Sequence, residues 1–254
     1  MELYYIILFF ILGTVLGSFY NVVGYRLPKN ESIIYPKHSY CPNCHHTLSI
    51  GELIPIFSFL FQRGKCRHCH HAISFFYPFI EVLTGVLFAV SYYSFGFSYQ
   101  LVISLSLSSL FSIVIVSDLT YLIIPDEVTA IVGLIIAGAT FWGRGYQEGL
   151  MALGSGVLLF GIMYGIMLLG DFLFKRESLG GADIKLMFIA GLSLGTILGI
   201  LVIFISSVVA LPIALSLYIT NKEKVVPYGP FIVFSILLLF LLKVDVNSFW
   251  QLLI

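Results

Sequence analysis

LMFIAGLSLGTILGILVIFISSVVALPIALSLYI, residues 186–219, runs for 34 positions without a charged side chain. That is too long for one upright helix, which needs about 20 residues to cross a hydrocarbon core of about 30 Å, and short for two full ones. The stretch predicts a tight helical hairpin, turning near Gly195–Gly199, with one or both arms shorter than the core is thick. Outward from it lie further apolar runs, at Leu3–Tyr25, Pro78–Phe95, Tyr99–Ser117, Val128–Trp142, Gly149–Gly170 and Phe231–Val244. Counting the hairpin as two, the chain reads as an all-α polytopic membrane protein of about eight transmembrane helices. Composition agrees. Of 254 residues, 59% are hydrophobic and only 10% charged, against about 25% charged in a soluble domain. Mean hydropathy is +1.02. Too few charges remain to cover a water-facing surface, so a soluble domain, a disordered chain, a coiled coil and a secreted disulfide scaffold are excluded. The formal charge is zero, which leaves no basic patch for a nucleic-acid partner. The first run is not a signal peptide: Glu2 stands where a basic region belongs, and Arg26 and Lys29 follow the run instead.

Lysine and arginine in short loops set orientation. Arg26, Lys29, Lys37, Arg63, Lys65 and Arg67 follow the first span, Lys175, Arg176 and Lys185 the fifth, and Lys222 and Lys224 the seventh. With eight spans these loops share one side, holding 11 of the 13 basic residues, which is therefore cytoplasmic. Arg144, Lys243 and both termini fall outside. The expected organisation is a first helix (1–25), a cytoplasmic loop domain (26–77) and a seven-helix membrane domain (78–254). Small residues four apart, Gly13/Gly17, Gly161/Gly165 and Gly191/Gly195/Gly199, predict close helix packing. No convincing internal repeat is expected.

All four cysteines and all six histidines lie between His38 and His71. Cys41-Pro-Asn-Cys44 and Cys66-Arg-His-Cys69 are separated by 21 residues. Two residues between cysteines let one tight turn aim both sulfurs at one ion, and a second such knuckle closes a tetrahedron. Four thiolates make a structural zinc site, since catalytic zinc keeps an open position. A redox pair or unligated thiols are the alternatives. The metal would staple a loop with little core of its own, whose apolar segment Leu53–Phe61 would lie against the membrane surface.

Acids at span ends are costly, about 2.5–3.5 kcal/mol at a helix centre, and need a reason. Asp118 closes one apolar run, and Asp183 opens the short hairpin within Leu179-Gly-Gly-Ala-Asp-Ile-Lys185. Gly180 and Gly181 leave room beside Asp183 for a substrate backbone. Two neighbouring carboxyls share a proton, giving a base to activate water and an acid for the leaving amine. Taken singly, each acid also reads as a helix cap at the interface, and Asp126, after Pro125, reads mainly so. Ser18 and Asn21, at helical spacing, read as an interhelical hydrogen bond, Arg26 as an interface anchor, and Glu81 as the partner of a loop cation or of a substrate amine.

Five segments in order now carry a resemblance: Gly17-Ser-Phe-Tyr-Asn-Val-Val-Gly-Tyr-Arg-Leu-Pro28; the paired knuckles with Glu52-Leu-Ile-Pro55 between them; Tyr77-Pro78 with Glu81; Asp118 through Ile124-Pro-Asp126; and Gly180-Gly-Ala-Asp-Ile-Lys185. A late Pro227-Tyr-Gly-Pro230 adds to it. Together they resemble the type IV prepilin leader peptidase/N-methyltransferase family of intramembrane aspartic proteases. The resemblance implies a bacterial inner-membrane enzyme that removes the leader from prepilins or pilin-like secretion and competence proteins at the cytoplasmic face. It further implies methylation of the new N-terminus with S-adenosyl-L-methionine. By motif position Asp118 and Asp183 would be the catalytic pair, and Cys41, Cys44, Cys66 and Cys69 the zinc ligands. The residues holding the methyl donor stay unassigned. One departure stands out: the family motif reads Gly-x-Gly-Asp, and Ala182 replaces the second glycine, a penalty of roughly 1 kcal/mol or more if φ there were positive. The competing readings are an ion-coupled transporter or channel, which would need acids deep in the bilayer and inverted repeats, and a non-catalytic zinc-anchored scaffold.

Overall fold

The computed structural model describes residues 2–35, 38–175, 180–219 and 226–244. Lys37, Arg176, Leu179, Lys222 and Lys224, which entered the charge and motif readings, lie outside the described residues. The chain forms two compact units, Met1–Gly96 and Phe97–Ile254. The first unit takes in the second long helix, which packs on the first.

In the N-terminal unit, α1 (Glu2–Arg26) and α3 (Phe76–Phe95) run antiparallel. Between them lie the cysteine loop and the short α2 (Phe57–Phe61). Gly13, Gly17 and Gly85 let the two backbones meet. A Cβ on Gly13 would sit 2.7 Å from the Thr84 carbonyl oxygen, and one on Gly17 would sit 2.9 Å from Glu81 Cα. Phe9 stacks on Tyr92 with ring centroids 4.8 Å apart. The rest of α1 (Leu3, Ile7, Ile11 and Val15 among others) is exposed, as suits a helix whose solvent is lipid. On the loop, Ile54, Phe57, Leu60 and Phe61 are exposed.

The C-terminal unit holds α4 (Tyr99–Tyr121), α5 (Asp126–Arg144), α6 (Tyr146–Phe174), α7 (Gly181–Leu194), α8 (Thr196–Ile219) and α9 (Gly229–Leu241). Its centre is α4, buried along most of its length and flanked by α5 and α9. Leu107, Leu110 and Val114 meet a core that includes Ile136, Leu186 and Ile236. Serines inside α4 return their hydroxyls to their own helix: Ser108 to the Ser104 carbonyl (2.8 Å) and Ser112 to that of Ser108 (3.0 Å). A hydroxyl in a membrane helix can be satisfied in this way by a carbonyl of its own helix.

Among the described residues, six helices (α1, α3, α4, α5, α6 and α8) are long and apolar enough to cross a membrane. The other two of the expected eight are short: α7 has 14 residues and α9 has 13. At 1.5 Å per residue α7 spans about 21 Å, less than a hydrocarbon core. The hairpin is as expected, with its turn on Gly195 at φ 82°. Gly195 is therefore a turn residue, not a packing one. Gly191 does pack, its built Cβ lying 2.5 Å from the Ser155 carbonyl oxygen on α6. Gly161 and Gly165 do not: a Cβ at either would meet no described atom within 4 Å.

Candidate functional site

Asp118 sits in the last turn of α4, 6% exposed. Its backbone carbonyl accepts the N–H of Leu122, which turns the chain in the left-handed region at φ 56°. Its carboxylate Oδ2 accepts the N–H of Gly229, 3.1 Å away, at the first residue of α9. An acid at the C-terminus of its own helix is disfavoured by the dipole; here the N-terminus of α9 compensates. Pro230 follows and has no N–H, so Gly229 supplies the donor. A Cβ on Gly229 would lie 3.0 Å from Asp118 Oδ2 and 2.5 Å from Ile124 Cδ1, so only glycine lets α9 approach this closely.

Asp183 lies in the first turn of α7, its N–H donated to the Gly180 carbonyl at 3.1 Å. Lys185, two residues on, pairs with Asp126 at the start of α5, which follows α4 directly. The ends of α4, α7 and α9 therefore bring both acids to one end of this unit. Ala182 is an ordinary helical residue and is absent from the positive-φ positions, so the departure from the family motif carries no torsional cost. A Cβ on Gly181 would meet nothing described within 4 Å. Asp126 does not cap its helix: it is the first residue of α5, after an N-cap at Pro125, and its carboxylate pairs with Lys185. Sequence reasoning gave no site role to two residues. One is Lys185, which that pair ties to α5. The other is Gly229, whose signal was a Gly-Pro step opening an apolar run.

The cysteine loop contains a repeat the sequence reading overlooked. In each knuckle the first cysteine donates its N–H to the carbonyl five residues on, Cys41 to His46 and Cys66 to His71, both at 2.9 Å. Each accepts from the residue four on, His45 and His70, which carry φ 56° and 57°. Single antiparallel bridges, Tyr40 with Thr47 and Lys65 with Ala72, close both turns. The offset is 25 residues throughout, and Cys-x-x-Cys-His-His is common to both. The four sulfurs lie within 4.8 Å of one another, with Cys41–Cys69 at 3.8 Å and Cys44–Cys66 at 3.9 Å. A tetrahedral zinc with bonds of about 2.3 Å needs sulfurs about 3.8 Å apart, so the donor set and spacing fit that ion. As free thiols they share protons unevenly. The Asn43 amide and the His71 backbone pull Cys69 down to about 6. At Cys44 the His46 N–H pulls the thiol down, but lost solvation and hydrogen bonds within the set push it up to about 12. Beside the cluster, Glu52 is buried, and Oε2 accepts the N–H and the hydroxyl of Ser49 at 2.9 and 2.8 Å. These bonds hold its carboxyl below the usual range.

At the start of α3, Asn21 Nδ2 donates to the carbonyls of Gly17 (3.2 Å) and Tyr77 (3.3 Å), joining α1 to α3 as expected. Glu81 meets neither a lysine nor an arginine among the described residues; it accepts the N–H of Ile56 at 2.7 Å and the hydroxyl of Ser18. Arg26 donates to the carbonyls of Ser32 and Ile33, fastening the exit of α1. Among the described residues, two buried side-chain polar atoms find no partner, Asn21 Oδ1 and Glu52 Oε1. Both are acceptors in the N-terminal unit, and a positively charged or N–H-bearing ligand suits them while an anion does not.

Comparison with known proteins divides the chain in the same way. Residues 11–95 match the Bacterial Peptidase A24 N-terminal domain, and residues 105–215 match the Type IV leader peptidase family. A protein of Bacillus subtilis (strain 168) named prepilin leader peptidase/N-methyltransferase is 35% identical over 95% of this chain and 96% of its own length. A protein of the same name from Myxococcus xanthus (strain DK1622) is 38% identical over 76% of this chain and 57% of its own length. One from Neisseria gonorrhoeae is 31% identical over 87% of this chain and 84% of its own. No solved structure matches.

Proposed function

Because the chain belongs to the type IV prepilin leader peptidase family, we propose that it cleaves prepilin-like proteins at the membrane with Asp118 and Asp183, then methylates the new N-terminus. The observation that carries the peptidase reading is two acids at one end of the C-terminal unit, the first oriented by the Gly229 N–H. In this reading one carboxyl is ionised and takes a proton from water, which attacks the scissile carbonyl. The other, protonated, donates to the departing amine. Gly180 and Gly181 leave the approach to Asp183 open. The basic end of the leader stays in the cytoplasm and the apolar segment beyond it enters the bilayer, so the bond between them arrives at the height of the acids. The bias of lysine and arginine supports a cytoplasmic position for this end, with both termini outside.

Cys41, Cys44, Cys66 and Cys69 would hold a structural zinc that closes the loop and leaves no coordination position for substrate. S-adenosylmethionine supplies an electrophilic methyl group when bound. Methyl transfer is assigned to the N-terminal unit, because the unpaired acceptors there suit a cationic ligand. The test is to mix the purified protein with a prepilin and follow its length by gel and its N-terminal mass. Wild type shortens the prepilin and adds 14 mass units, about one methyl. Asp118→Asn and Asp183→Asn should leave it intact. Cleavage by either variant removes that residue from the mechanism. An uncut prepilin with wild type leaves the scaffold reading.

A further inference from the structure

The polar cluster at the start of α3 is more than a helix clamp. Asn21 and Glu81 lie within one turn of each other across the α1–α3 seam. Asn21 donates to the Gly17 carbonyl, and a Cβ on Gly17 would lie 2.9 Å from Glu81 Cα. Ser18, on the same face of α1, reaches Glu81. Asn21 is 2% exposed and Glu81 is 8%. Both amide hydrogens of Asn21 are directed at carbonyls, which aims Oδ1 away from them, buried and without a donor. A carboxylate offers about four lone-pair positions, and two described donors, the Ile56 N–H and the Ser18 hydroxyl, engage Glu81. An acceptor-rich site with spare lone pairs, closed to bulk water, calls for a compact cation with several N–H groups.

The Ile56 donor is itself unusual. Ile56 has φ 64° and ψ −54°, and Phe57 donates its N–H to the Pro55 carbonyl at 2.6 Å. This is a three-residue turn in the rare positive-φ form, centred on a β-branched side chain that resists it. The carboxylate of Glu81 holds that turn over the cluster. Strain of this kind persists where surrounding structure imposes it, and it gathers at ligand sites.

We propose that Asn21, Ser18 and Glu81 form the subsite for the primary ammonium of the freshly cut pilin N-terminus, with Glu81 as the base for its methylation. This rests on the methyl-transfer reading above. Asn21 Oδ1 and the carboxylate accept the ammonium hydrogens. Glu81 takes one proton and becomes neutral. The freed nitrogen lone pair forms the N–C bond to the methyl of the sulfonium donor as the C–S bond breaks, and that electron pair stays on sulfur. The products are a secondary ammonium, a neutral thioether and protonated Glu81, so charge and atoms balance.

The experiment uses full-length protein in detergent, S-adenosylmethionine and an already processed pilin, with N-terminal mass as the readout. Wild type methylates it; failure of wild type overturns the methyl-transfer reading and this subsite with it. With wild type active, Glu81→Gln should slow methylation on the order of 100-fold at pH 7 and leave prepilin cleavage within about twofold. Its rate should climb toward that of wild type as pH passes about 8, where the amine loses its own proton, and Glu81→Asp should restore part of the rate at pH 7. An equal loss at every pH makes Glu81 structural and overturns the proposal, as does a raised KM for S-adenosylmethionine with unchanged kcat. A second arm needs no variant. A peptide copying the mature N-terminus should inhibit wild-type methylation at least tenfold better with a free amine than when acetylated; equal inhibition overturns the proposal.

Discussion

The two units of this protein solve the same problem, burying polar groups in lipid, by opposite means. The N-terminal unit has little side-chain core. It depends on bare backbone contact between α1 and α3 at Gly13, Gly17 and Gly85, and on four thiols fit for one ion. The C-terminal unit surrounds α4 with apolar side chains and puts its acids at a helix end, where a backbone N–H from α9 meets one of them. The first unit leaves acceptors without donors; the second completes its key acid with a neighbour. An incomplete hydrogen-bond set is what a ligand subsite needs, while a fixed carboxylate orientation is what general acid–base chemistry needs.

The largest effect that separates them is loss of cleavage. Asp118→Asn or Asp183→Asn should reduce leader removal by about 10³-fold or more, since an amide can act neither as base nor as acid. Methylation of a precut pilin should continue at the wild-type rate. Joint loss of both activities would mean that the two units do not work independently. The reverse experiment acts on the metal. Cys66→Ser, or a strong chelator, should open the loop to proteolysis between residues 31 and 75 and abolish methyl transfer. Apparent zinc binding in small four-ligand domains is worth about 10–16 kcal/mol, far more than this loop's few buried side chains supply. Cleavage of a prepilin that survives metal removal would confirm the division of labour; a chelator-resistant loop would disprove the zinc assignment.

An intermediate effect is expected at Gly229. Alanine there puts a Cβ 3.0 Å from Asp118 Oδ2 and 2.5 Å from Ile124 Cδ1. Isoleucine can give way; the hydrogen bond to the acid cannot stay as it is. The shift should cost about 1–3 kcal/mol of stability, lowering the thermal midpoint, and should lower cleavage about 10- to 100-fold, read as kcat on a prepilin at a temperature where the variant stays folded. Full activity would show that the α9 N–H does not orient Asp118.

How far the chain could be read before its structure depends on the range of each interaction. The hairpin was legible because an uncharged run of 34 residues has a length that few arrangements satisfy. The thiol cluster was legible because ligand spacing is local. Asp118 and Asp183 stood out because lipid makes any acid conspicuous. The α1–α3 pairing was not legible, since glycine spacing marks a smooth face without naming its partner. The same spacing at Gly161 and Gly165 faces no described atom. Glu81 invited a cationic partner, yet its donors are the Ser18 hydroxyl and the Ile56 N–H, and the second, being backbone, leaves no trace in side-chain letters. The 25-residue repeat was visible as Cys-x-x-Cys-His-His twice, but its meaning lies in matched hydrogen bonds and positive φ at His45 and His70.

A smaller effect distinguishes the metal loop from its carboxylate brace. Ser49 holds the Glu52 carboxyl below its ordinary range, so the folded loop is favoured when Glu52 is ionised. That contribution is present above the unfolded value of about 4.3 and is lost as pH falls through the lower folded one. Glu52→Gln should therefore release zinc at a milder acidity than wild type, followed with a zinc-sensitive dye during acid titration. The gap should close once Glu52 itself is protonated. An unchanged release midpoint would show that Glu52 does not support the loop.

The smallest effect tests whether the acids of the C-terminal unit belong to one electrostatic set. Lys185 is two residues beyond Asp183 and pairs with Asp126, both side chains well exposed. An exposed pair is worth about 0–1 kcal/mol, and salt screens it further. Lys185→Met should therefore change thermal stability by at most that amount and leave kcat for leader removal within about twofold at 0.15 M salt. A loss of kcat that deepens as salt is lowered, with thermal stability unchanged, would give the lysine a role beyond its pair with Asp126, through charged substrate or Asp183. The pair with Asp126 would then be the resting place of a cation that the peptidase end of this unit uses.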